Sequence, residues 1–501
     1  MKNRHSIWLA LFTIGLFVLS ANVSKVSAQI QNQWQPDDRI PGYLDSTFTP
    51  YMVADQNQTV HVFASQVISE ETFQRGIVYR QWSVSGGWTK TTDILLSPSG
   101  DAVIQGAFLD KKGFIHVIFW GGSAESAHIF YSKAPVQNAD SGFSWTKPVI
   151  IGNRSVETTS AAITGDGEGN LVVIYNGESM GIGVYGIHST DSGETWSRSA
   201  PIYLTYDSTL LPFSLRLAMG REGRVHAAWS VVTILGEDQS LHYANFDIAE
   251  QAWSVPLTLL EKPDERGFFG PSYPSMVDTG NEVVIMYNGG NPFDGLPVPA
   301  GRPVQMVSVS KDNGDTWEVP VVPFYRHNGR SGEHMIVTDS NHVVHAIFIQ
   351  RIEYVDDNKN VVIGGIWHST YKDGVWSNPE RFIPSVQSSN IRAIVSQGNV
   401  LLATWIEDQG VGQSGVWYSY MMLDAPESAS VPYPTLPTSE NAAVPTSIDF
   451  PLIPSPASTS VPALLESDDS SNPALPLILG ILPVLILIGI MLIIYRRRVS
   501  E

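Results

Sequence analysis

The chain has 501 residues, 43% of them apolar, with 30 Lys and Arg against 49 Asp and Glu and no cysteine. That is enough apolar surface for a large buried core, and the missing thiols exclude disulfides, thiolate metal sites and a cysteine nucleophile. The formal charge of −19 argues against nucleic acid as a partner, because phosphate backbones are met by basic surfaces.

Lys2 and Arg4 precede an apolar run from Ile7 to Leu19, and Val26-Ser27-Ala28 reads as a small-residue cleavage site. Residues 1–28 are therefore expected to be a secretory signal peptide. From 29 to 423 one pattern repeats, a turn rich in Asp, Gly and Asn followed by an alternating or continuous apolar strand. The strands are Thr59 to Phe63, Phe114 to Phe119, Leu171 to Tyr175, Val225 to Trp229, Glu282 to Tyr287, Val343 to Phe348 and Val400 to Trp405, seven in all. A third strand follows each, and then a turn that ends on Trp88, Trp145, Trp196, Trp253, Trp317 or Trp376. The seventh unit breaks off after Val416 to Tyr420 without such a tryptophan. Trp34-Gln35-Pro36 resembles Trp253-Ser254-Val255-Pro256, so the N-terminal segment is expected to supply the outer strand of the last unit and to hide two open sheet edges.

Units of this length predict an all-β protein, a β-propeller of four-stranded blades. Seven blades are counted; six is the alternative if one unit is an elaborated edge. Residues 424–472 are rich in Ser, Pro, Thr and Ala and read as an extended stalk. Residues 473–495 read as a transmembrane helix, since Pro476 to Tyr495 is an uncharged apolar run long enough for a hydrocarbon core of about 30 Å. Arg496, Arg497 and Arg498 open a short basic tail, 496–501, expected to stay in the cytoplasm. The expected location is the cell membrane, single-pass, with the propeller outside.

Three turns share a fuller pattern: Ser189 to Trp196, Ser310 to Trp317 and, more loosely, Asn138 to Trp145. Asp191, Asp312 and Asp140 can accept hydrogen bonds from nearby backbone N–H groups, Gly193, Gly314 and Gly142 suit a positive φ, and Trp196, Trp317 and Trp145 carry apolar surface into the core. These turns resemble the Asp boxes of the sialidase superfamily, and as a fold the resemblance runs from about Trp34 to Leu423. In that family the boxes are structural and lie on the rim, away from the active site. The resemblance implies a glycan-directed propeller, an exo-acting sialidase or related glycoside hydrolase. In the family, arginines bind the substrate carboxylate as forks, a Tyr paired with a Glu is the nucleophile, and an Asp is the acid/base. Arg39-Ile40-Pro41 matches a family arginine string, but is expected on the borrowed outer strand; Phe48 occupies the arginine's place beside the first inner strand.

In a propeller the starts of the inner strands and the loops between second and third strands share one face. Here that face is expected to present Tyr51, Gln105, Arg216, Tyr273, Glu333, His334 and Arg392. Loops add Glu178, Glu237, Asp238, Asp294, Arg302, Arg351, Glu353, Glu407 and Asp408. Tyr273 with Glu333 as nucleophile pair, and Arg216, Arg302 and Arg392 as carboxylate clamp, form the candidate catalytic set. Two alternatives stay open: the arginines bridge blades while Tyr273 packs on Pro274, or the propeller binds a glycan or protein without catalysis. His61, His116, His226 and His345 hold one place in four blades, too far apart to converge on a metal, so repeated structural hydrogen bonding is expected. No cofactor or metal is expected.

Overall fold

The computed structural model describes residues 32–430 and Tyr433, except 70, 99, 123–126, 153–159, 263–268, 291–302, 326, 328–330, 351–353, 356–360, 363, 386, 409 and 411–413. The segments expected to be signal peptide, most of the stalk, membrane helix and basic tail lie outside the described residues. Among the described residues no helix is long and apolar enough to cross a membrane.

Among the described residues seven antiparallel sheets of three or more strands follow one another, with one two-stranded sheet, Tyr354–Val355 and Val361–Val362, besides. Their inner strands are Tyr51–Ala54, Asp101–Leu109, Ala161–Gly165, Leu210–Met219, Ser272–Asp278, Ser331–Thr338 and Ser388–Ser396, here blades 1 to 7. The chain runs outward from each inner strand through a second and a third strand. Blade 5 has three strands; a single bridge between Val307 and Val321 stands where its outer strand would be. In blade 7 the strand Gly415–Met422 pairs on its outer side with Asp38–Arg39, Asp38 opposite Tyr418 and Arg39 opposite Trp417, and Trp34 bridges to Met421.

Second strands such as Leu171–Gly177 and Val283–Gly289 are buried along their whole length, which explains their continuous apolar runs: each is covered on both sheet faces. The core is a ring of interfaces. Ile118 and Tyr131 of blade 2 pack on Val173 and Tyr185 of blade 3, and so on round to Val400 and Leu402 of blade 7 against Val60 and Val62 of blade 1. Apolar contact between the first and last blades makes the ring closed, with seven blades rather than six. Each fully buried Ile or Val in these interfaces contributes about 1.5–3 kcal/mol. Serines bolt each blade to the inner strand of the next, since Ser65 Oγ accepts from Ile104 N (2.8 Å), Ser160 Oγ from Leu215 N (3.0 Å) and Ser275 Oγ from Ile336 N (3.0 Å).

The tryptophans reach across to the preceding blade. Trp145 meets Phe63 edge-on at 5.9 Å, Trp196 meets Tyr131 at 4.9 Å, Trp317 meets Tyr243 at 4.9 Å and Trp88 meets Tyr418 at 5.1 Å. Trp34 stacks on Phe382 of blade 6 at 3.9 Å. Two of the Asp-Gly-Trp turns are built alike. Ser189 Oγ accepts from Gly193 N (2.9 Å) and Asp191 Oδ1 from Thr195 N (2.9 Å); Ser310 with Gly314 N (2.8 Å) and Asp312 with Thr316 N (2.8 Å) repeat this. These bonds, those from Thr195 and Thr316 hydroxyls foremost, pull the Asp191 and Asp312 carboxyls down to about 2. The third turn departs from expectation. Gly142 is not among the positive-φ glycines and opens a 3₁₀ turn, Gly142–Ser144, while Trp145 Nε1 donates to Ala139 O at 3.0 Å. Asn138 stands where the other turns have the serine that binds the glycine N–H, so nothing holds Gly142 in the left-handed conformation.

The four equivalent histidines are structural. His61, His116 and His226 place Nδ1 at 2.6, 2.7 and 2.7 Å from the hydroxyls of Tyr79, Tyr131 and Tyr243. Their Nε2 atoms face Asp55, Asp110 and Asp278 at 3.4, 3.2 and 3.8 Å. Blade 4 has Gly220 at the turn position of the aspartate, and Asp278 comes from blade 5 instead. In blade 6 His345 pairs with Asp339 (3.4 Å) and with His368 (3.0 Å) in place of a tyrosine.

Candidate functional site: the axial cavity

The inner strands do not run straight. Register shifts interrupt the pairing between Phe213 and Arg216, Ser272 and Ser275, Ser331 and His334, and Ser389 and Arg392. Four successive blades thus carry a β-bulge at one level, a device that re-aims side chains. Within three of the bulges Ser214, Tyr273 and Asn390 sit at φ near +54°, +53° and +53°. The residue that resumes pairing is Arg216, Ser275, His334 or Arg392, so these four share a level around the axis.

A cavity of about 190 Å³ lies there, lined by Tyr51, Gln105, Arg216, Met335 and Arg392 with small neighbours such as Gly106 and Ala161. The Arg392 guanidinium lies 5.2 Å from the centre of the Tyr51 ring, and its Nη1 donates to Ile391 O at 3.3 Å. No carboxylate among the described residues pairs with it. Arg216 Nη1 donates to Leu215 O at 2.9 Å. His334 is fully buried beside this level; burial, above all, lowers its pKa to about 4, and its Nε2 donates to Met286 O at 2.9 Å. It is a neutral imidazole at neutral pH. The cavity is therefore lined by two guanidinium groups, an amide and a phenol, with no carboxylate among the described lining residues.

The other candidates fall differently. Tyr273 meets Phe213 edge-on at 5.7 Å and is absent from the cavity lining; Tyr51 stands by the arginines instead. For Glu333 only the backbone is described, and Arg302, Asp294, Arg351 and Glu353 lie outside the described residues. Glu178 and Glu237 are exposed. Glu407 is buried and serves the fold, accepting from Trp405 Nε1 (2.8 Å), Ser385 Oγ and Ser388 Oγ. Asp408 accepts from Ser414 Oγ at 3.1 Å. Asp238, at the start of the third strand of blade 4, is mostly buried and hydrogen-bonded to Ser272; burial raises its pKa to about 6. Arg39 lies on the outermost strand of blade 7 and pairs with Asp45 at 2.6 Å, far from the axis. At the place opposite Ser65, Phe48 lies under the Arg75 guanidinium, 4.8 Å from its ring centre.

Sequence reading put Arg216, His334 and Arg392 on one face but missed the bulges that set their common level. The signal was present: Ser214-Leu215-Arg216 and Asn390-Ile391-Arg392 share a small polar residue two places before the arginine. Two larger cavities, about 570 and 500 Å³, lie elsewhere, one beside Trp376 and Tyr371, the other beside Trp34 and His368.

No family model matches the sequence, and no curated protein matches it. Among solved structures the chain is similar to an unknown-function protein from Dyadobacter fermentans DSM 18053, with 13% identity, TM-score 0.47, and coverage of 78% of this chain and 99% of that one. It is also similar to polysaccharide lyase Uly1, with 12% identity, TM-score 0.49, and coverage of 80% and 95%. A third is the α-L-arabinofuranosidase PaAbf62A from Podospora anserina, with 14% identity, TM-score 0.32, and coverage of 58% and 96%. Likeness at this level says nothing of activity.

Proposed function

We propose that the axial cavity binds the anionic group of an acidic sugar, and that the protein is a glycan-directed propeller held outside the cell. The observation that carries this is Arg392, a half-buried guanidinium over Tyr51 with no carboxylate partner among the described residues, sharing its cavity with Arg216. Removing a guanidinium from water without a counter-ion is unfavourable, and a carboxylate supplies the planar partner that its fork fits. Gln105 adds a hydrogen-bonding group for a sugar hydroxyl. In the same reading the two turns around Asp191 and Asp312 are Asp boxes, the pairing of Asp38–Arg39 with blade 7 is the closure of the ring, and residues 1–28 and 473–495 are export signal and anchor.

A second reading, exo-acting hydrolysis of a sialoside or related acidic glycoside, rests on Asp238. A carboxyl with a pKa near 6 keeps its proton in mildly acid water, as a general acid must. Tyr51, beside Arg392, is then the nucleophile candidate instead of Tyr273. The lining without a described carboxylate favours binding over hydrolysis.

Calorimetric titration of the full chain in detergent tests both. Sialic or uronic acid is expected to bind and N-acetylglucosamine not, with Arg392→Ala weakening binding by about tenfold or more, the scale of a lost charge-assisted pair. Equal affinity for acidic and neutral sugars, or for wild type and Arg392→Ala, overturns the assignment. Release of fluorophore from a sialoside, abolished by Asp238→Asn, would promote the second reading over the first.

A further inference from the structure

The segment after the last blade does not leave the ring at once. Residues 424–430 and Tyr433 follow the turns that join first and second strands, at the end of the ring away from the starts of the inner strands. Asn341 Nδ2 of blade 6 donates to Asp424 O at 3.2 Å, and Ser340 Oγ donates to Pro426 O. Ser428 N donates to Gln397 O of blade 7 at 2.8 Å. Ser430 Oγ donates to Asn57 Oδ1 of blade 1 at 2.9 Å. Tyr433 Oη accepts from Gln56 N at 3.3 Å, and its ring packs so tightly on Gly113 of blade 2 that a Cβ there would lie 2.8 Å away. In order, the segment touches blades 6, 7, 1 and 2. Midway, one oxygen, Glu427 Oε1, accepts from Gln58 Nε2 of blade 1 (2.9 Å) and Gln397 Nε2 of blade 7 (3.0 Å).

That oxygen spans the junction between the first and last blades. So does the pair proposed to hold the ligand, since Tyr51 belongs to blade 1 and Arg392 to blade 7. Gln397 directly follows the inner strand that carries Arg392, and Gln58 lies in the turn that follows the strand carrying Tyr51. On the outer side Asp38–Arg39 and the Trp34 bridge extend blade 7, and Trp88 of blade 1 meets Tyr418 of blade 7. We propose that residues 424–430 with Tyr433 are a latch beneath the junction, and that Glu427 is a positioning residue which fixes Arg392 over Tyr51 from the opposite end of the two inner strands. The ligand side of this inference rests on the reading of the axial cavity given above; the latch itself does not.

The experiment uses the full chain and two variants, Glu427→Ala and Glu427→Gln, with a chain ending at Leu423 as a third. Hydrogen exchange of the peptides covering 51–54 and 388–396 is measured beside the affinity for sialic acid. Glu427→Ala is expected to speed exchange in both peptides and weaken binding, each by about tenfold, the scale of a lost pair of hydrogen bonds to a charged group. Glu427→Gln keeps an acceptor oxygen and is expected to restore both. The shortened chain is expected to exceed Glu427→Ala; if it does not fold, the point variants still decide. Unchanged exchange in Glu427→Ala overturns the latch. If wild type binds no acidic sugar, the reading of the cavity fails while exchange alone still judges the latch. If exchange rises and affinity holds, Glu427 is structural and its positioning role is overturned.

Discussion

Gly193 shows how little room single positions leave. Its φ is +81°, and a Cβ built there would lie 2.0 Å from Tyr131 Oη of the neighbouring blade. Gly236 has nearly the same φ, +80°, with nothing within 4 Å. Gly193→Ala is therefore expected to cost about 2–4 kcal/mol, conformational strain plus overpacking, and Gly236→Ala only the strain, about 1 kcal/mol; urea unfolding of the two measures the difference. A second expectation concerns acid. Burial lowers the pKa of His334 and His242 to about 4 and of His368 to about 3, and it lowers that of His116 as well. Unfolded histidines bind protons from about pH 6.5 downward, so the unfolded chain takes up more protons, and stability from these residues is whole above 6.5 and lost as pH falls toward 4. Asp238 acts oppositely: its raised pKa makes its contribution whole below about 3.9 and lost as pH rises through 6. The urea midpoint should fall from pH 7 to pH 4, and His334→Gln should flatten that fall.

At the scale of strands, Ser160 illustrates what joins one blade to the next. Its hydroxyl accepts the Leu215 N–H in a buried setting. Ser160→Ala leaves that donor without its partner, at an expected cost of about 1–3 kcal/mol, read from the denaturation midpoint; Ser160→Thr, which keeps the oxygen, should recover part of it. Second strands were legible in the sequence because burial on both faces writes a continuous apolar run, as in Leu171–Gly177. The tryptophans were legible because each sits at a fixed place after its turn. The bulges were not, since one extra residue in an inner strand leaves no periodic mark, and they set which side chains reach the axis. That is why Arg216 and Arg392 line the cavity while Tyr273, expected on the same face, lies against Phe213, and why Glu407, expected in a loop, is a buried acceptor for Ser388 and Trp405. Arg302 and Glu353, in the loops of blades 5 and 6, lie outside the described residues.

For the whole molecule, closure of seven sheets puts contacts between distant parts of the chain at the centre of its economy. The Ser419 hydroxyl donates to Gln35 O across 384 residues of sequence at 2.6 Å. Proteins dominated by such pairings fold slowly. Asp38–Arg39 precedes all seven inner strands and its partner, Gly415–Met422, follows them, so Asp38–Arg39 waits unpaired while the sheets between are synthesised. Within that interval the exposed edge is open to strands of other chains. Refolding from urea should then be slow and lose yield steeply with concentration, and a supplied peptide matching residues 32–40 should rescue a chain begun after Pro41. Any factor that shields this edge while the two strands are apart would raise the yield of closed rings.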